Sequence, residues 1–463
     1  MDFGFDTFIS PLTWRYGSDE MKTIWSERNK RLLLRRVWIA LASAQNKAGI
    51  VSDAQLEDLK AHAEDVDIER ALEIEAEIRH DLMAEIKTYA EQCKIGGGII
   101  HLGATSMDVL DNADAMRLKQ ATALILEKTE KLRASFAEKA EKYIDVPCMA
   151  FTHIQSAEVT TVGYRLALVI QDLDECIAEL KALEIKGKGL KGAVGTRASY
   201  KCLLAGTPMT SEELDKTVMD ELGLVAFDGA TQVYPRTQDL RIMHVLDDLS
   251  CALAKFALDF RMLQSSAIGE WSEPFGKSQV GSSAMPFKRN PINCEKVDSL
   301  CRYVHSLVPN AWDNASLSIL ERTLDDSANR RLFLPQAFLA MDEVLITAKK
   351  VVDGMNVHEA TIRRNLEAFG VFAATERLLM ELGRRGADRQ EMHETIRENS
   401  LKAWAAVQEG KPNPLVELLG SEASILKYMT KEEVLSCLDA SDYYGDAPRI
   451  AKAIICRNQS HRS

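Results

Sequence analysis

The run Gly281-Ser282-Ser283-Ala284-Met285-Pro286-Phe287-Lys288-Arg289-Asn290-Pro291 places two hydroxyls, two cations and an amide between a glycine and a proline. Those groups can take up an anion, and the punctuation around them makes a loop. Gly269, Gly276 and Gly281 admit backbone angles that other residues resist, while Pro274 and Pro286 exclude regular helix. The stretch lies between two long segments of helical apolar spacing, so residues 269–291 are expected to form a mobile lid over a substrate.

Four other clusters carry polar chemistry. Arg79-His80-Asp81 sits in a helical pattern and reads either as a solvated face with a salt-bridged histidine or as part of a site. His101-Leu102-Gly103-Ala104-Thr105-Ser106 ends in two hydroxyls before a helix beginning near Asn112. Those hydroxyls can cap that helix and can also hold a carboxylate at its N-terminus. Phe151-Thr152-His153-Ile154-Gln155 offers a histidine whose ordinary titration range suits proton donation near neutrality, although a lone histidine is commonly structural. Glu321 to Arg331 is either a surface charge run or, through Arg322, Ser327 and Arg331, a phosphate clasp. Gln232, ahead of Pro235, serves equally as a turn residue or an amide contact.

The net charge of −12 argues against a nucleic-acid partner and repels small anions at long range. An anionic substrate therefore needs a local basic focus, for which Lys288-Arg289 and Arg322 to Arg331 are the candidates. Nine cysteines without a C-x-x-C pair indicate reduced thiols, mostly buried, with neither a disulfide framework nor a zinc site. Apolar runs are broken by charge well before the ~18 residues that a membrane span needs, and Met1 to Asp6 is acidic instead of basic. The cytoplasm is the expected compartment.

Long helices must position these clusters. Leu246, Leu249, Leu253, Phe256, Phe260 and Leu263 follow a three-four rhythm, and the segment Asp239 to Ile268 would span ~45 Å at ~1.5 Å per residue. Asn112 to Tyr143, with Leu118, Ala121, Ile125, Leu132 and Phe136 on one face, and Ala157 to Lys186 read likewise. A further helix over Pro335 to Val352 is expected to open on its proline. Strand-like alternation is nearly absent. The expectation is an all-α protein in three helical parts: residues 1–107, a central long-helix bundle over 108–356 carrying the lid, and residues 357–463. Seams this long predict burial against other subunits.

The 281–291 run resembles the G-S-S-x-M-P-x-K-x-N-P signature of the fumarase/aspartase superfamily of elimination enzymes, with every fixed position filled. Trp14-Arg15-Tyr16-Gly17-Ser18-Asp19-Glu20-Met21, R-H-D, L-G-A-T-S, F-T-H-x-Q, T-Q-x-Y and E-R-T-L-D-D-S-A-N-R-R then follow in the order of the adenylosuccinate lyase family, the last string being especially close to its animal type. The resemblance implies a C–N lyase of the amidine-lyase class that releases fumarate from adenylosuccinate and from succinyl-aminoimidazole carboxamide ribotide, in purine synthesis, without a cofactor or metal. It implies Ser282 as base, His153 as general acid, and Lys288 and Asn290 as stabilisers of a doubly charged intermediate, with His80 counted among the catalytic residues and His101 near the site. It further implies substrate contacts from Arg15, Tyr16, Arg79, His80, Asp81, Thr105, Ser106, Gln232, Asn290, Lys296, Arg322, Ser327 and Arg331, in a homotetramer whose long helices form a shared core and whose sites are built by several subunits.

Two departures stand out. Lys296 occupies a position where animal-type relatives carry arginine, and Ser156 replaces the proline usual after F-T-H-x-Q. The alternatives are another superfamily member, of argininosuccinate lyase or carboxymuconate cycloisomerase type, a magnesium-dependent prenyl-pyrophosphate enzyme using Asp247-Asp248 and Asp325-Asp326, and a retired enzyme kept as a structural protein. The aspartate pairs lack further carboxylates at metal-binding spacing, and retention of Ser282, His153 and Lys288 weighs against retirement.

Overall fold

Apolar residues recurring every three or four positions bury one stripe of each long helix. Leu118, Ala121, Ile125, Leu132 and Phe136 have no exposed surface in the helix Ser106–Lys142, and Leu246, Leu249, Leu253, Phe256, Phe260 and Leu263 are buried along Thr237–Gln264. Each such leucine or phenylalanine contributes roughly 1.5–3 kcal/mol by leaving water. The computed structural model describes residues 4–457, so Met1-Asp2-Phe3 of the acidic opening lie outside it. Eighteen α-helices and two short antiparallel strand pairs occur among the described residues, which is the all-α class expected. None of these helices is long and apolar enough to cross a membrane. All nine cysteines are free thiols, five of them buried.

Three expectations need correction. The helix expected from Pro335 begins ten residues earlier and spans Asp325–Gly354 with Pro335 inside it. Asp325 and Asp326 favour a helix start through the positive N-terminal dipole end, and that start outweighs the break a proline imposes. The stretch from Ala157 begins as strand: Gln155–Thr161 pairs with Pro147–Thr152, and the helix occupies only Val162–Ala182. Val159-Thr160-Thr161 is β-branched throughout, which favours extended backbone. Arg79-His80-Asp81 is a junction instead of a helical face, because Arg79 turns left-handed at φ 54° and ends Ile68–Ile78 before Asp81–Gln92 begins.

By contact the described chain divides into two units, one of residues 4–130, 176–253 and 298–346, the other of residues 131–175, 254–297 and 347–457. The first is organised around buried charge. Arg236 pairs with Asp111 at 3.0 Å and Asp326 at 2.7 Å, and Arg330 reaches Asp239 at 2.7 Å and Asp114 at 3.1 Å. The second has an apolar cluster including Leu378, Leu382, Met392, Leu419 and Val434, and carries the strand hairpin.

That hairpin turns through His153 and Ile154, whose φ values of 53° and 61° are both left-handed. Two positive-φ residues between paired strands are the geometry of a type I′ turn, which normally selects Asn-Gly. A β-branched residue there is strained, and Ile154 is also 71% exposed. On the following strand, Glu158 faces Glu376 of the helix Glu359–Arg384. Repulsion from Glu376, then burial, raises the Glu158 carboxyl above its ordinary range, and Tyr443 donates to Glu376 at 3.2 Å.

Ile154→Gly should stabilise the protein by about 1 kcal/mol, the lower end of the cost of a strained left-handed residue, in denaturant unfolding; a loss of stability would show that the isoleucine side chain outweighs its backbone. For Glu158 the folded value lies above the unfolded one, so its contribution is fully present below about pH 4.3 and is lost as pH rises through the raised folded value. Glu158→Gln should therefore raise Tm at neutral pH and leave it unchanged near pH 4, as thermal melts across that range will read.

Candidate active site

The 269–291 loop is bolted at both ends and exposed between them. Upstream, Trp271 and Ser272 pair with Val357 and Asn356. Downstream, buried Glu273 accepts from the backbone N–H groups of Asn293 at 3.1 Å and Cys294 at 2.7 Å and from the Asn293 side chain at 2.6 Å. It thereby satisfies the first amides of the helix Ile292–Ser316, where the dipole also favours a negative charge. Between these anchors Val280 and Phe287 are 75% and 83% exposed, apolar surface suited to a lid that lands on something.

Within the loop, the Ser282 hydroxyl accepts from the N–H groups of Met285 at 3.1 Å and Ala284 at 3.3 Å. Two amides aimed at one oxygen stabilise negative charge on it. Asn290 donates one amide hydrogen to the Gly281 carbonyl at 3.2 Å, which closes the signature on itself and leaves its second hydrogen available. A Cβ on Gly281 would lie 2.1 Å from the Lys288 carbonyl, so only glycine permits this closure. Lys288 is exposed, and Arg289 lies 4.8 Å from the Phe275 ring. Lys296 is half-buried in the Ile292–Ser316 helix, and His153 is exposed at its hairpin turn. Ser156, at the position where a proline was expected, pairs with Phe151 in the ladder.

The remaining predicted residues belong to the first unit. His101 Nδ1 accepts from the Trp38 indole N–H at 3.1 Å, and His80 Nδ1 accepts from the Met83 backbone N–H at 3.3 Å. Both donors can only donate, so each neutral imidazole carries its proton on Nε2. Burial holds His101 below the usual histidine range, with His80 adding to the shift and Asp108 opposing it. Thr105 and Ser106 open the Ser106–Lys142 helix, and the Thr105 N–H is taken by Asp108 at 3.1 Å.

Both arginines expected on phosphate are engaged by aspartate. Arg331 meets Asp81 at 2.7 Å and Arg322 meets Asp326 at 2.6 Å. Burial would raise the Asp81 carboxyl, but Arg331, the Leu82 N–H and Lys30 outweigh it and hold the group below its usual value. Asp326 is likewise held low against burial by Arg236 and Arg322, so the second aspartate of that pair is committed to arginine. Ser327 donates its N–H to the Leu324 carbonyl, placing it in the same turn. Gln232 donates its backbone N–H to the Glu321 carbonyl at 3.1 Å, which joins T-Q-V-Y to the E-R-T-L segment. The Arg15 guanidinium carbon lies 5.6 Å from the Trp14 ring and 5.9 Å from the Tyr16 ring.

The structure thus joins Asp81 with Arg331, Gln232 with the Arg322 segment, and Ser282 with its own loop amides. Sequence reasoning missed Asp108, Glu270 and Glu273, which hold these segments. Their one signal was an acidic residue at a buried helical position or within Gly269-Glu270-Trp271-Ser272-Glu273-Pro274, an otherwise weakly charged stretch.

By their chemistry, the loop groups of the second unit suit proton abstraction and anion stabilisation, and the exposed arginine of the first suits an anion. Residues 15–305 match the family model described as lyase, and residues 372–454 match the one described as adenylosuccinate lyase C-terminus. Adenylosuccinate lyase of Saccharomyces cerevisiae is 39% identical over 453 residues, covering 96% of this chain and 93% of the yeast protein. The Pyrococcus abyssi adenylosuccinate lyase is 38% identical, covering 96% and 97%. Among solved structures, 3-carboxy-cis,cis-muconate lactonizing enzyme from Pseudomonas putida superposes with a TM-score of 0.85 at 24% identity over 97% of this chain and 98% of that one. Fumarate lyase from Mesorhizobium sp. BNC1 gives 0.83 at 22% over 95% and 98%. These two likenesses concern the fold.

Proposed function

We infer that this chain, which belongs to the adenylosuccinate lyase family, is a fumarate-releasing C–N lyase that converts adenylosuccinate to AMP and cleaves succinyl-aminoimidazole carboxamide ribotide in purine nucleotide synthesis. Elimination requires a proton to leave a carbon next to a carboxylate, and the resulting carbanion can spread only into a group that is already negative. That dianion needs donors and cations in a site closed to water.

The observation that carries the mechanism is the Ser282 hydroxyl set between two backbone amides. In this reading Ser282 first gives up its hydroxyl proton to solvent, the charge on its oxygen held by the Ala284 and Met285 N–H groups, and then takes the substrate proton to return to the hydroxyl, while Lys288 and the second amide hydrogen of Asn290 face the dianion. His153 protonates the departing nitrogen. Arg322, Ser327 and Arg331 take the phosphate, which displaces Asp81 from Arg331 because a phosphate dianion offers more charge and more acceptor oxygens than one carboxylate. Arg15, Tyr16, Arg79, His80, Asp81, Thr105, Ser106, Gln232 and Lys296 complete the contacts, His80 as an Nε2 donor.

The functional unit in this reading is a homotetramer in the cytoplasm. Support comes from Trp312, Leu317, Ile319, Leu320, Leu324 and Leu332, all more than half exposed and interleaved with Arg322, Ser327 and Arg331. Apolar surface mixed into a ligand-binding stretch is what a site completed by a second subunit would leave open in one chain.

Purified protein mixed with adenylosuccinate should change its ultraviolet spectrum as AMP forms; an unchanged spectrum rejects the substrate. Ser282→Ala and His153→Ala should each lower turnover by about 10²- to 10⁴-fold, the range of acid–base catalysis, without altering size-exclusion behaviour. Near-normal turnover in either variant would remove that residue's role. Arg331→Ala should weaken AMP binding by about 1.5–3 kcal/mol, the worth of a charged hydrogen bond, measured by titration calorimetry; loss of assembly with unchanged AMP affinity would make the arginine structural.

A further inference from the structure

Arg165, in the first turn of the Val162–Ala182 helix, reaches two elements of the second unit at once. Its Nη2 donates to the Met149 carbonyl at 2.7 Å, and its Nη1 lies 3.6 Å from Oε2 of Glu270. Its guanidinium carbon is 5.9 Å from the Trp271 ring. Met149 sits on the strand that runs into the His153 turn, next to the register shift between Met149 and Phe151. Glu270 and Trp271 are the upstream root of the loop that carries Ser282.

The remaining polar groups of Glu270 are occupied. Its N–H donates to the Leu263 carbonyl at 2.9 Å, its carbonyl accepts from the His358 N–H at 2.8 Å, and Oε1 accepts from the Asn365 side chain at 3.1 Å. Only Oε2 is left, buried and without a hydrogen bond, and the facing Arg165 Nη1 is in the same condition. The two are too far apart for a hydrogen bond and close enough for an ion pair. A shift of about 0.7 Å would bring them to the distance of a charge-assisted bond. A residue that merely stabilised the fold would be expected to close that gap, since a buried unmade bond costs about 1–3 kcal/mol.

We propose that Arg165 is a positioning residue: through the Met149 carbonyl on one side and Glu270 on the other, it sets the His153 hairpin and the root of the Ser282 loop in fixed relation, and its contact with Glu270 tightens as the loop closes. The proposal rests on the roles given above to Ser282 and His153. Arg165 touches no substrate. Its loss therefore slows the chemical step more than it weakens binding, because small misplacements of a reacting group are costly in rate and cheap in affinity.

The test compares Arg165→Ala, Arg165→Lys, Glu270→Gln and Ser282→Ala with the unaltered protein, using adenylosuccinate deuterated at the carbon that loses its proton. Arg165→Ala and the near-isosteric Glu270→Gln should lower kcat by about 10- to 100-fold with KM changed by less than about threefold, and should enlarge the primary isotope effect on kcat. Arg165→Lys, which retains the cation, should recover part of kcat. Rates are taken per folded oligomer after size exclusion. Wild-type kcat and isotope effect in Arg165→Ala and Glu270→Gln, or a loss of activity that only follows the folded fraction, overturns the positioning role. An inactive Ser282→Ala beside fully active Arg165 variants rejects this proposal alone; an active Ser282→Ala removes the base and the proposal with it.

Discussion

Asp108 has no exposed surface, and the groups packed around it are arranged so that its charge can stay there. Its two oxygens accept from the Lys188 ammonium at 2.6 Å, the backbone N–H groups of Thr105, Lys191 and Gly192 at 3.1 Å, and the Tyr200 hydroxyl at 3.0 Å. A buried carboxylate is tolerable only when such donors are complete, because desolvating the ion costs several kcal/mol. The requirement works in reverse as well: it fixes the glycine-rich Gly187 to Gly192 stretch and the start of the Ser106–Lys142 helix in one arrangement. Glu273 does the same at the start of Ile292–Ser316. In both units a dehydrated carboxylate, placed where a helix begins, locates a segment that carries reactive groups.

The global charge of −12 makes local cation placement decisive. The arginines at positions 236, 330 and 331 are not left bare in this field. Arg236 and Arg330 are buried and each paired with two of Asp111, Asp114, Asp239 and Asp326, whereas Arg331 is exposed and holds a single aspartate. The buried pairs have no alternative partner of comparable geometry. The exposed one does, so the same residue type separates into a framework role and the ligand-binding role proposed for Arg331, by how many carboxylates surround it and how much water reaches it.

The all-α class and the buried seams were legible in the sequence because a three-four apolar rhythm is a local property: Leu246 to Leu263 and Leu118 to Phe136 could be assigned one residue at a time. The Ser282 loop was legible from its glycines, prolines and clustered hydroxyls. What was not legible depends on distant partners. The short strand pair around His153 is held by a neighbour in sequence, but its turn uses a left-handed isoleucine that no turn preference would suggest. The start of the Asp325–Gly354 helix was hidden by Pro335, since a proline reads as a beginning when the acidic first turn lies ten residues before it. Asp108, Glu270 and Glu273 could not be distinguished from surface acids until their donors, some of them more than 80 residues away, were in place. The two amides on Ser282 escaped for a simpler reason, since backbone groups leave no letter in a sequence.

Pro335 supplies no N–H for the carbonyl one turn before it, which is that of Arg331. The spine of the Asp325–Gly354 helix is therefore interrupted just beyond its arginines, and the turns from Asp325 to Arg331 are steadied from the side, by Asp326 on Arg236 and by Arg330 on Asp239. Those side bonds lead to the segment around Tyr234, whose hydroxyl joins Asp239 and Arg330. The turns from Asp325 to Arg331 are accordingly held as a plate riveted to the Tyr234–Arg236 stretch instead of as the tip of a rod.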